Sequence, residues 1–179
     1  MNRSVKFKDL TRHKLVIAEI IYNNQNILRY MNYMTDDPLA KRTVNRQGKI
    51  VEQPDLNISF DDAHLYTRAF DENILSTSHC SLFIHLREGH LEARQSIGYI
   101  TYEIDIVCPC EFQTLEGTRE NRDDNIADEI CGEIDGHMVT GVGDVEILDF
   151  NGGRLEKDYT YLTLFVRVKN FTVQDVKIP

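Results

Sequence analysis

The 179-residue chain has no tryptophan, only four prolines and four cysteines, and no apolar run near the ~20 residues that a helical membrane span needs. Basic charge is also scarce: 20 Lys and Arg stand against 29 Asp and Glu, for a net charge of -9. That balance argues against a protein that grips a nucleic-acid backbone, because phosphate binding relies on clustered Lys and Arg. The start, Met1 to Asp9, is basic, but no signal-peptide core of ~7–15 apolar residues follows it. The expected setting is therefore the cytoplasm, or a particle assembled there. Apolar residues at 41% and charged residues at 27% are close to the globular average, so wholesale disorder is not expected.

The cysteines exclude more than they suggest. Cys80, Cys108, Cys110 and Cys131 read as free thiols. Cys108-Pro109-Cys110 is tighter than the C-x2–4-C step usual in structural zinc sites, and its completing partners (Cys80, Cys131, His79 or His85) are scattered singly. The histidines form no H-E-x-x-H spacing. No P-loop and no G-x-S-x-G occurs, and Gly141-Val142-Gly143 lacks the third glycine of a dinucleotide fingerprint. The acidic group Glu120, Asp123, Asp124, Asp128 and Glu129 reads as the solvated face of a helix rather than a metal site. With no catalytic constellation, the expectation is a protein that is not an enzyme and carries neither cofactor nor bound metal.

What is present is periodicity. Leu10, Ile17, Ile20, Ile21, Ile27, Leu28, Met31 and Met34 recur at helical steps, predicting a helix over about 9–34 with Asp9 as its N-cap. Asn23, Asn24 and Asn26 are low-propensity residues and mark a place for a kink or break. A long loop of about 35–57 follows, mobile unless something holds it. It contains a basic stretch whose cations are Lys41, Arg42, Arg46 and Lys49. The stretch reads equally as an arm that touches a partner and as a solvated loop. Strands are expected over 65–70, 80–87 and 98–107, the last two as an antiparallel pair whose connection begins at Glu88. Ile100, Tyr102, Ile104 and Ile106 share one face of the third strand, and Thr101, Glu103 and Asp105 the other. A second helix over 119–134 carries Ile126, Ile130 and Ile134, with Gly136 as its stop. Strands at 145–150 and 161–168 close the chain around Asn151-Gly152-Gly153, which reads as a turn. The expected fold is one α+β domain over 1–179: a mostly antiparallel sheet of about four to six strands, packed on one side by two helices.

The order of elements carries a resemblance. A helix with Asn26-Ile27-Leu28-Arg29-Tyr30-Met31 runs into Thr35-Asp36-Asp37-Pro38-Leu39. A strand, Tyr99-Ile100-Thr101-Tyr102-Glu103-Ile104-Asp105-Ile106-Val107-Cys108-Pro109, precedes a helix with Arg122-Asp123-Asp124-Asn125-Ile126-Ala127-Asp128-Glu129-Ile130, and a hairpin ends the chain. This resembles the neck and tail-completion proteins of long-tailed bacteriophages, particularly tail terminators, over most of residues 8–170 apart from 35–57. The resemblance implies a virion protein at the neck that forms a ring, commonly a hexamer. Such a ring caps the tail tube, meets the tube protein on one side and the head–tail connector on the other, and lets genomic DNA pass without sequence-specific binding. The family shares no catalytic residues. An acidic lining would repel phosphates over ~8–10 Å. Two alternatives stay open: a head-side closure or adaptor protein that binds the portal, and a small Cys/His metal-binding domain or enzyme.

Overall fold

The computed structural model describes residues 7–45, 47–90, 98–115, 117–155 and 157–169; Arg46 of the basic stretch and the tail after 169 lie outside them. Helix α1 (Phe7–Asn23) and helix α2 (Gln25–Asn32) occupy the region read as one helix over 9–34. The break is at Asn24, whose side chain accepts from the amides of Asn26 and Ile27 at 2.9 and 3.1 Å and so caps α2. Asp9 lies inside the first turn of α1 rather than before it, where its charge still suits the helix dipole.

Within the stretch read as a loop there is a small hairpin. Strands β1 (Arg42–Val44) and β2 (Ile50–Glu52) pair antiparallel, with Asn45 accepting from the amides of Gln47 and Lys49 at the turn. Strands of only three residues carry too little periodicity to be read ahead of time.

The main sheet has six strands in the order β3-β4-β5-β8-β7-β6. These are β3 (Leu65–Tyr66), β4 (Ser81–His90), β5 (Tyr99–Pro109), β6 (Met138–Val139), β7 (Gly143–Leu155) and β8 (Tyr159–Lys169), with helix α3 (Arg122–Ile134) between β5 and β6. All pairs are antiparallel except β3 with β4. The fold is thus α+β with an antiparallel-dominated sheet and three helices. Strand β4 runs through Glu88 to His90, so the expected start of a connection is still paired with β5.

The expected turn at 151–153 is also strand: Asn151, Gly152 and Gly153 oppose Thr163, Leu162 and Tyr161. Packing explains the glycines. A Cβ on Gly152 would meet Leu162 Cδ1 and the Tyr161 carbonyl at 3.2 Å, and one on Gly153 would meet the Tyr161 ring at 3.3 Å. Here glycine serves close cross-strand approach rather than chain reversal. Gly136, by contrast, does stand just past α3, at φ 70°.

The inner face of the sheet carries Leu82, Ile84, Ile100, Tyr102, Ile104, Ile106, Leu164, Val166 and Val168, all buried with Ile17, Ile21, Ile27, Leu28, Ile126, Ile130 and Ile134 from the helices. The Tyr102 hydroxyl reaches His13 Nδ1 of α1 at 3.1 Å. Two buried arginines tie the helical layer together. Arg122 donates to the carbonyls of Phe112, Tyr30, Tyr33 and Thr35. Arg29 donates to those of Pro38, Leu39 and Ala40 and to Asp55. A buried guanidinium is tolerated where backbone acceptors satisfy its donors.

Candidate functional site

Both flanks of the sheet end in two-residue strands, and among the described residues each leaves part of a longer neighbour unpaired. β4 is paired by β3 only at Leu82 and Phe83. Its later half, Leu86 to His90, is exposed. β7 is paired by β6 only at Gly143 and Asp144. Its run from Leu148 to Arg154 is exposed, with Phe150 at 69%. Unpaired strand edges offer backbone donors and acceptors to another chain.

The register makes the β7 flank apolar. Ile84, Ile104, Leu164 and Phe150 form one continuous cross-strand row on the inner face. The first three are buried and the fourth is not. Each exposed run begins at a register shift, between Leu86 and Glu88 in β4 and between Ile147 and Asp149 in β7. An extra residue of this kind bends an edge strand and re-aims its side chains.

The basic stretch sits on the β1–β2 hairpin. Lys41, Arg42 and Lys49 are exposed, and Arg42 meets Glu52 across the strands at 3.2 Å. Val44 and Ile50, paired with each other, are 56% and 60% exposed. The base of the hairpin is held firmly. Fully buried Gln53 donates to the carbonyls of Asp37 and Ala40, and its amide bonds Lys41. The arrangement is an anchored hairpin with cations at its base (Lys41, Arg42) and at its turn (Lys49), and with apolar Val44 and Ile50 exposed beside the turn.

The outer face of the sheet is polar, and Phe70, Tyr66 and Phe83 pack together on part of it. His85 opposes Glu103, and Asp105 opposes Thr163. His85 Nε2 lies 2.9 Å from Asp105 Oδ2 and 3.4 Å from Glu103 Oε2. The Asp105 hydrogen bond raises the His85 pKa above its usual value, against the opposing effect of burial. Arg87 donates to Glu103 at 3.0 Å and lies over the Phe165 ring. An open depression of about 190 Å³ adjoins this group, lined by Phe70, Asp105, Val107, Leu155, Tyr161 and Thr163.

The other chemical candidates form no ligand set. Cys80 and Cys108 are buried beside each other with free thiols, and burial, then the hydrogen bond with Cys80, pushes the Cys108 thiol well up. His79 stacks on His64 at 3.4 Å instead of joining the cysteines. Among the described residues, the ligand atoms that gather within 4.8 Å are those of His85, Glu103 and Asp105, with no cysteine. The acidic residues around α3 separate as well. Asp123 is buried and accepts from Thr160 and Gln113, with its pKa raised chiefly by burial, whereas Glu129 accepts from Asn24 and Asn26. His85 and Asp105 had no common motif in sequence, because the strand register alone unites them.

No helix among the described residues is long and apolar enough to cross a membrane. The model of one protein family, described as YomW, matches residues 24–168. A search of curated proteins finds no match.

Proposed function

The chain belongs to the YomW family, a phage-derived family, and from that premise we propose that it is a structural, non-catalytic virion protein of a long-tailed phage. In this reading it is a tail terminator. Copies join into a ring, with a hexamer as the expected size, that caps the tail tube and meets the head–tail connector at the neck. Genomic DNA passes through the ring without sequence-specific contact.

The observation that carries the proposal is the pair of exposed strand runs on opposite flanks of one sheet, 86–90 and 148–154. Two different edges that pair head to tail make a heterologous interface, which closes into a ring when the rotation per subunit allows. Phe150 supplies apolar area at such a joint. The exposed cations of the hairpin, Lys41 and Arg42 at its base and Lys49 at its turn, are the proposed contact with the tube or connector.

Native mass spectrometry of the full chain, followed by electron microscopy with assembled tails, tests this. Rings of defined copy number at the head-proximal end of tails are expected. Density at the portal of tailless heads instead would favour a head-side adaptor.

A further inference from the structure

We propose that His85, Glu103 and Asp105 form a binding site for a divalent transition-metal cation of the zinc class on the outer face of the sheet. The inference does not rest on the ring reading.

Two of the three donor separations suit an ion, and all three donor atoms lie within 4.8 Å of one another. His85 Nε2 stands 2.9 Å from Asp105 Oδ2 and 3.4 Å from Glu103 Oε2. A first-row dication that binds nitrogen and carboxylate oxygen at ~2.0–2.2 Å holds its ligands ~2.9 Å apart at a right angle and ~3.4 Å apart in a tetrahedron. The three residues come from two directly paired strands, so their backbones are fixed before any ion arrives. One imidazole and two carboxylates are a donor set suited to zinc and its neighbours rather than to calcium, which takes six to eight oxygens.

The surrounding groups hold these ligands in position. Glu103 accepts from Arg87 through its other oxygen, Oε1, at 3.0 Å. Asp105 accepts from the Thr163 hydroxyl through Oδ1 at 2.6 Å. Each carboxylate thus keeps one oxygen turned toward His85 while the second is tethered, as in metal sites whose ligands are oriented by an outer layer of hydrogen bonds. The side chains of His85, Glu103 and Asp105 are 20%, 23% and 12% exposed, shielded enough to limit screening and open enough for entry. The depression beside Asp105 and Thr163 leaves room for water or an exogenous ligand to complete the shell.

The test is calorimetric titration of the full chain with zinc chloride, paired with the absorption spectrum of the cobalt(II)-loaded protein. One zinc per chain is expected. Glu103→Gln and Asp105→Asn should each weaken binding by about tenfold or more, and Thr163→Val, which touches only the outer tether, by about tenfold. Cys110→Ser should leave binding unchanged. The cobalt spectrum needs no variant and should show d–d bands without a thiolate charge-transfer band. No binding at millimolar zinc would overturn the site. So would a thiolate band, or binding that survives both carboxylate substitutions in variants that still fold by circular dichroism.

Discussion

Arg122, at the first turn of α3, places Nη2 2.6 Å from the carbonyl of Thr35, 87 residues earlier in the chain. The same guanidinium bonds Tyr30 and Tyr33, so the exit of α2, which would otherwise leave carbonyls unpaired beneath the surface, is closed by one side chain from another helix. From that exit the chain runs past Pro38 to the hairpin, where Arg29 and Gln53 repeat the device on a smaller scale. The exposed basic hairpin therefore stands on a chain of buried hydrogen bonds that leads back to the helical layer.

Arg122→Met should lower stability by about 3 kcal/mol or more, because several buried acceptors lose charged donors at once. Arg122→Lys should recover little of it, since an ammonium cannot reach four separated carbonyls. Urea denaturation of the three proteins measures the difference.

Gly152→Val should destabilise by about 1–3 kcal/mol, because the new side chain must displace Leu162 and backbone in the paired strand. Were 151–153 an open turn, the cost would be near zero. Thermal unfolding distinguishes the two.

Phe150→Lys should leave stability within about 0.5 kcal/mol of wild type, since the ring is mostly in water. It should nevertheless weaken self-association, by placing a charge at the proposed joint. Sedimentation velocity alongside a melting curve separates these effects.

Replacing Lys41, Arg42 and Lys49 together by Glu should preserve folding and reduce attachment to assembled tails, measured by co-sedimentation. Arg42 gives up an exposed ion pair worth about 0–1 kcal/mol and sets a like charge opposite Glu52, a cost confined to the exposed hairpin. Unchanged attachment would leave the hairpin without a docking role.

Acid should loosen the region around the stacked His64 and His79. Burial lowers both, His79 to about 4 with His64 as its second cause. The unfolded chain titrates these rings near 6.5, so it binds more protons than the native state as pH falls from 6.5 toward 4, and stability drops across that window. His85 works in the opposite sense: its raised pKa adds stability below 6.5 that is lost as pH climbs through its folded value. A pH series of melting temperatures should show a shallower acid limb in His79→Gln, with a remainder from His13, which burial also lowers.

Much of the fold could be read along the chain. The period-two run from Ile100 to Ile106 announced both β5 and its two faces, and Ile126, Ile130 and Ile134 announced α3, because such patterns need only local geometry. The asparagines at 23–26 marked a weak point, and Asn24 is the cap there. Asn151-Gly152-Gly153 misled, because a glycine pressed under a cross-strand tyrosine has the same local signature as one in a turn. The candidate surfaces were harder still. Lys41, Arg42 and Lys49 were visible as a charge run, but the stem that presents them was not.

Sequence by itself determined which residues seek the core, where helices and long strands form, and how much charge the molecule carries, since each follows from neighbours within a few positions. Tertiary structure alone decided that β3 lies parallel to β4, that β4 and β7 keep open flanks among the described residues, and that His85, Glu103, Asp105 and Thr163 meet. Those relations depend on strand order and on register. A one-residue slip would turn every side chain to the opposite face, and nothing within a single strand encodes which partner will hold it in place.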